Sequence, residues 1–229
     1  MFDQLIIGDK ASYDDFFASV AERKIKKPAK KSIKETIPFF NGAYDFSKIN
    51  GETYWEEREL EYIFEMTANT PEELEDQKLA FSGWIMNVFE EEIHDPYIFG
   101  YHFKGTYDDM DVEDDEGLDK SIITVKFKAY PYMIADNATV FIYSGNAIST
   151  VAHSLLNSSH HPVRATVKVE PDDISMVIKI NEEYITLVGG VQYELATLPV
   201  GLNEVLVTAL TDTSGNGYRL SISFNEEVL

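Results

Sequence analysis

The chain has 229 residues, 40 Asp and Glu against 19 Lys and Arg, a formal net charge of -21 and 44% hydrophobic content. Such a length buries a sizeable core as one large β domain or two of about 100 residues each, and the charge argues against binding that works by neutralising phosphates. With no cysteine, disulfides, thiolate metal sites and cysteine nucleophiles are excluded, and a reducing compartment is the comfortable setting.

Met1 to Ile7 reads as a first strand closed by a Gly8-Asp9 turn. It lacks a basic region and its apolar run is short, so neither a signal peptide nor a membrane span is expected; nothing later reaches the roughly 18 apolar residues of a spanning helix. Tyr13 to Val20 is too short to classify. Between Arg23 and Lys34 lie seven of the 19 basic residues. That run reads as an arm docking an acidic partner surface, or as a solvated extended edge kept from aggregating by Lys and Pro28. Asn41-Gly42 and Asn50-Gly51 mark turns around Ala43 to Ile49, a short segment with its own aromatics, Tyr44 and Phe46. Farther on, Leu60, Tyr62, Phe64 and Met66 fall on one side of an extended chain and Glu59, Glu61 and Glu65 mostly on the other, which predicts a half-buried strand.

The order Ile37-Pro38, then Asn41-Gly42-Ala43-Tyr44-Asp45-Phe46, then Tyr54-Trp55-Glu56-Glu57-Arg58 running into that strand resembles the N-terminal domain of siphophage distal tail (Dit) proteins. Those proteins form the hub joining the tail tube to the receptor-binding baseplate or tail tip. The resemblance implies a β-rich belt domain with one helix, assembling head-to-tail into a hexameric ring. An acidic ring wall would let DNA pass without sticking; plain solubility accounts for the charge as well.

After Met66, Thr70 suits an N-cap, Pro71 the first helical position, and Glu73 completes a Thr-x-x-Glu capping box with Glu72 beside it. Leu74, Phe81, Trp84, Ile85 and Val88 form an apolar stripe that predicts packing against the sheet, with Trp84 in the core. Such a helix is similar to the single helix of the Dit N-terminal domain. Pro96 is expected to end the helical region, and Tyr97 to Lys104 to be a strand with Tyr97, Phe99, Tyr101 and Phe103 on one face. Seven acidic residues follow between Tyr107 and Glu116. Asp109, Asp111 and Glu113 approach the first ligand positions of an EF-hand loop, but Asp114 stands where Gly is required and Lys120 where the closing Glu belongs, so a solvated acidic hairpin tip is expected instead. Ser121 to Met133 alternates, with Ile123, Val125 and Phe127 opposite Thr124, Lys126 and Lys128. It closes on Tyr130-Pro131-Tyr132, similar to the strand that closes the Dit first domain, and the domain boundary is placed between residues 134 and 135.

From Ala135 onward short β segments alternate with turn residues: Thr139 to Tyr143, Val163 to Val169, Ile174 to Ile180, Tyr184 to Leu187, Val191 to Leu198, Glu204 to Ala209 and Arg219 to Phe224. They predict an antiparallel sandwich, and together with the Pro199 to Asn203 turn they resemble the galectin-like or carbohydrate-binding-module-like second domain of Dit proteins. Tyr143 to Pro162 is expected to be a loop. Saccharide sites need exposed aromatics, yet both tryptophans, Trp55 and Trp84, lie in the first half, and Tyr143, Tyr184, Tyr193, Tyr218 and Phe224 sit mostly at core-like positions.

No catalytic, cofactor-binding or metal-binding residues are assigned. His160-His161 would point to opposite faces of a strand, and His94, His102 and His153 have no ligand-like spacing. Ser154, Ser158 and Ser159 lie in no Gly-x-Ser-x-Gly elbow, no phosphate or dinucleotide loop is present, and the glycosylation patterns at Asn137 and Asn157 carry no weight without a signal peptide. The expectation is therefore a mainly β chain with a ring-forming belt domain over 1–134 and a galectin-like sandwich over 135–229. As the resemblance implies, it is a non-enzymatic virion protein of the tail tip, made in a bacterial cytoplasm. Its partners would be other copies of itself, the tail tube protein, a tail-associated lysin or tip protein and a receptor-binding protein, without cofactor, nucleic acid or membrane. The alternatives are a carbohydrate-binding module of an adhesion device and a β-sandwich hydrolase.

Overall fold

A computed structural model describes residues 3–39, 41–47, 51, 53–115, 120–145, 150–195, 197–210 and 217–229. Strands hold 55% of the chain, so it is mainly β. It separates into two compact units, Met1–Met133 with Leu229, and Ile134–Val228.

The first unit contains β1 (Ile6–Ile7), β2 (Lys10–Ala11), β3 (Ser19–Ile25), β4 (Lys34–Glu35), β5 (Tyr44–Asp45), β6 (Arg58–Thr67), α1 (Pro71–Ile85), β7 (Glu91–His94), β8 (Tyr101–Asp115) and β9 (Lys120–Ala129). Its main sheet runs in the order β2-β1-β7-β8-β9-β6-β3 with antiparallel neighbours. β6 is the strand that the alternation predicts: Leu60, Tyr62, Phe64 and Met66 are fully buried. Because successive side chains of a strand leave on opposite faces, Glu59 and Glu61 are delivered to the other side.

The helix begins as its signals require. The Thr70 hydroxyl accepts from the Glu73 amide at 3.2 Å, and the Glu73 carboxylate reaches back to the Asn69 amide at 3.2 Å, so two donors left open at the helix start are satisfied. Leu74, Phe81 and Ile85 are buried. Phe81 meets Phe64 of the sheet edge-on with ring centroids 5.0 Å apart, and Trp84 stacks on Phe16 at 4.7 Å. Trp84 is thus half-buried in the packing against the core, and the fully buried Phe64 and Phe81 each contribute about 1.5–3 kcal/mol by leaving water.

Three expectations in this unit are corrected. The helix stops at Ile85 and the chain is already a strand, β7, before Pro96; with Ile93 alone buried among four residues, β7 shows no alternation to read. Residues 95–100 are a turn, so Tyr97 and Phe99 are exposed and β8 begins only at Tyr101. The acidic run lies largely within β8, up to Asp115, because every residue from Asp109 to Asp115 has a partner on β9 to continue the ladder.

The second unit, with β10 (Met133–Ala135) at its start, holds β11 (Thr139–Gly145), β12 (Thr150–Asn157), β13 (Thr166–Glu170), β14 (Ser175–Ile180), β15 (Glu183–Val188), β16 (Gln192–Glu194), β17 (Gly201–Ala209), β18 (Tyr218–Phe224) and β19 (Glu227–Val228). Two four-stranded antiparallel sheets, β11-β18-β13-β16 and β12-β17-β14-β15, face each other. Val167 and Val169 with Leu220 and Ile222 from one sheet, and Met176 and Ile178 with Val205 and Val207 from the other, fill a common core. Each comes from an alternating run, so the inward face of each strand is set by its own sequence.

β12 occupies the stretch expected to be a loop. It pairs with β17 from Thr150 to Asn157, yet it is an edge strand on which only Leu155 and Asn157 are buried, so periodicity gives no sign of it.

Candidate functional site

Three features of the first unit and one compact cluster of ligand-type side chains stand out among the described residues.

The first feature is an arm. Beyond β3 and before β6 the chain goes out and returns as a thin ribbon: Lys31 donates its amide to Tyr54, Glu56 to Ala29 and Phe46 to Ile33, and β4 pairs with β5 at the far end. Among its described residues from Ala29 to Glu57 none is buried, and Ile33, Ile37, Phe39, Tyr44, Phe46 and Tyr54 are exposed. A two-stranded ribbon is marginal in water without an apolar face packed on something. Here the hydrogen bonds are present and the described apolar residues are exposed.

The basic run divides in two. Lys24 reaches Glu61 at 2.8 Å and Lys26 pairs with Glu59, so the first lysines form a cross-strand ladder on the solvent face of β6. Hydrogen bonding to these carboxylates, then their charge, raises both ammonium pKa values. Lys30, Lys31 and Lys34 continue onto the arm, where Lys30 sits 5.8 Å over the Trp55 ring.

The second feature is the β8–β9 hairpin. A bulge between Tyr107 and Asp109 puts one extra residue in β8, which lets consecutive Asp108 and Asp109 both meet the lysine face of β9: Asp108 bonds Lys128 at 2.6 Å and Asp109 bonds Lys126 at 3.3 Å. Asp114 bonds the Ser121 hydroxyl and takes Lys78 from the helix at 2.9 Å. The Ser121 hydrogen bond, followed by Lys78, holds the Asp114 carboxyl below its ordinary value. The run therefore serves as one side of a salt-bridged ladder. Its last residue, Glu116, lies outside the described residues.

The third feature is a buried polar network at the root of the arm. Asp95, its side chain fully buried, accepts from Arg23 at 2.5 Å, from the Tyr62 hydroxyl at 3.0 Å and from the Tyr97 amide at 2.8 Å. Arg23 also lies over the Tyr97 ring at 4.6 Å. A buried carboxylate held by a guanidinium and a phenol locks edge strand β3 to the turn after β7. Burial, then the Asp95 charge, pushes the Tyr62 phenol well up, so it stays a donor.

The cluster of ligand-type side chains is Glu92, His94 and His102, whose ligand atoms all lie within 4.8 Å of one another. The pairs Glu92–Lys104 and Ile93–Phe103 set the β7–β8 register, and extending it places His94 opposite His102. Chain spacing does not show this grouping, because it depends on pairing across a turn. The signal that could have found it is Glu-x-His, two like-facing positions on a strand, followed by a third ligand on the next one.

The remaining histidines stand elsewhere. His161 meets Glu227 at 2.5 Å, and His153 stacks on Tyr143 at 4.1 Å. Ser159 accepts from the Glu227 amide and Asn157 donates to the Leu198 carbonyl, so both serve the fold, and a buried Asn157 offers no amide for glycosylation. Tyr143, Tyr218 and Phe224 are core residues as expected; Tyr184 is not, being 71% exposed with Lys179 5.5 Å from its ring.

No protein-family description matches the chain, and no curated protein matches it by sequence. Among solved structures, that of SPP1 Dit, described as a paradigm of the hub adsorption apparatus in phages infecting Gram-positive bacteria, aligns over 100% of both chains with a TM-score of 0.70 at 11% identity. The phage P2 baseplate in its activated conformation with Ca aligns over 97% of this chain and 98% of that one, at 11% identity and a TM-score of 0.38, too weak a fit to argue from. From its first strand to its last, then, the chain has the fold of a phage Dit protein.

Proposed function

We propose that this protein is a distal tail hub of a siphophage-type particle. It would join the tail tube to a baseplate or tail tip, and copies would close head-to-tail into a hexameric ring. The observation that carries the reading is the end-to-end correspondence with SPP1 Dit, in which both units take part. The uncovered arm supports it physically. Its apolar residues and Lys30, Lys31 and Lys34 suit the surface of a second, acidic copy, and a heterologous contact of that kind closes into a ring when the rotation allows. In this reading the first unit is the belt and the second holds a receptor-binding protein or a tail-associated lysin. The role is non-enzymatic and the place of action is the virion tail tip; no helix among the described residues is long and apolar enough to cross a membrane.

The test is native mass spectrometry with negative-stain microscopy of the full chain, alone and mixed with tail-tube protein. Rings built from 26.0 kDa protomers are expected. Monomer under every condition refutes the proposal.

One observation favours a second reading, a carbohydrate-binding module. Tyr184 of β15 is exposed, with Lys179 5.5 Å from its ring, and offers an aromatic face on which a sugar could stack. A glycan array separates the two: saccharide binding abolished by Tyr184→Ala supports this reading, and an array without signal removes it.

A further inference from the structure

We propose that Glu92, His94 and His102 form a binding site for a divalent transition-metal ion of the zinc class. The argument is independent of the tail-hub reading. It starts with the strands: Ile93 and Phe103 are fully buried on one face of the sheet, so Glu92, His94 and His102 all leave from the other. His94 Nε2 lies 3.6 Å from one Glu92 carboxylate oxygen and His102 Nε2 lies 3.8 Å from the other, while the two rings sit 5.1 Å apart at 43°.

Zinc bonds nitrogen and carboxylate oxygen at about 2.0–2.1 Å, which in a tetrahedral site separates neighbouring ligand atoms by about 3.3 Å. The two His–Glu distances, 3.6 and 3.8 Å, are somewhat longer than that value and end on different oxygens of Glu92, so seating one ion takes a turn of that carboxylate. The correction falls on Glu92, whose side chain is exposed, while the His102 side chain, 7% exposed, is held by its surroundings. Lys104, the cross-strand partner of Glu92, is 3.1 Å from Glu90, which gives its ammonium a carboxylate of its own.

The donor set decides the metal. Two imidazoles and one carboxylate favour zinc, cobalt or nickel over calcium and magnesium, which take oxygen ligands. Three protein ligands leave a tetrahedral ion one position for water or for a group from outside the chain. A bound ion would cross-link β7 to β8 at the point where β1 joins β7.

The experiment uses the full chain, stripped with chelator, dialysed and titrated with Co(II) while the visible d–d absorption is followed, then with Zn(II) as competitor. One Co(II) per chain with a tetrahedral spectrum, displaced by Zn(II), is expected. His94→Ala and Glu92→Gln, both at positions with exposed or half-exposed side chains, should each weaken binding by at least about tenfold, and His161→Ala should bind as the native chain does. Should His102→Ala fold poorly, the other two variants still decide. Absence of Co(II) and Zn(II) binding in the native chain, or unchanged affinity in both His94→Ala and Glu92→Gln, overturns the proposal.

Discussion

Replacing Asp95 with Ala tests the physical account of the first unit most directly. The substitution takes away one acceptor serving three donors. The Tyr62 hydroxyl is left in the core with nothing to donate to, at about 1–3 kcal/mol. The Arg23 side chain is 32% exposed and can turn to water, so its part falls to about 1 kcal/mol. The Tyr97 amide adds roughly another 0.5–1 kcal/mol. The sum is about 2.5–5 kcal/mol, overlapping the cost of breaking a fully buried pair although Arg23 is partly exposed. For a unit of this size it corresponds to a Tm lower by roughly 10–15 °C. Calorimetry and urea titration would measure it. Asp95→Asn, which keeps an acceptor for Tyr62, should cost about half as much, and adding Tyr62→Phe to Asp95→Ala should recover about 1 kcal/mol, because it deletes the orphaned hydroxyl. A loss below about 1 kcal/mol for Asp95→Ala, or no recovery in the double variant, refutes the reasoning.

Phe81→Ala, which empties the contact with Phe64, Phe16 and Trp84, should cost about 3–5 kcal/mol in urea titration. Thr70→Ala removes the helix cap and should cost about 1 kcal/mol, visible as a small Tm shift by circular dichroism. Phe39→Glu with Tyr44→Glu on the arm should leave Tm unchanged and reduce ring formation in native mass spectrometry, since these residues touch no core of their own. For pH, the Asp114 carboxyl is held below its ordinary value in the folded chain, first by the Ser121 hydroxyl and then by Lys78. The unfolded chain therefore binds its proton first on acidification, and the stability contributed is complete above that value and lost as pH falls through the lowered one. In a Tm profile below about pH 4, Asp114→Asn should flatten the acid limb relative to the native chain.

Local patterns were enough to read what depends on one segment at a time. The two-residue alternation of Leu60 to Met66, Ile123 to Phe127 and Met176 to Ile180 names an inward face without reference to any neighbour, because the pleat sends successive side chains to opposite sides. The Thr70-Pro71-Glu73 cap likewise fixes a helix start through groups at most four residues apart. Tertiary structure alone decided whatever needs a partner distant in sequence. β12 and β7 exist because β17 and β8 offer them ladders, their own burial being too sparse to produce a period. The acidic run is strand because β9 supplies lysines opposite it, and a bulge aims two consecutive aspartates the same way. His94 and His102 stand eight positions apart in the chain and side by side in space, since register across a turn is set by pairing geometry, which the Glu-x-His spacing alone does not supply.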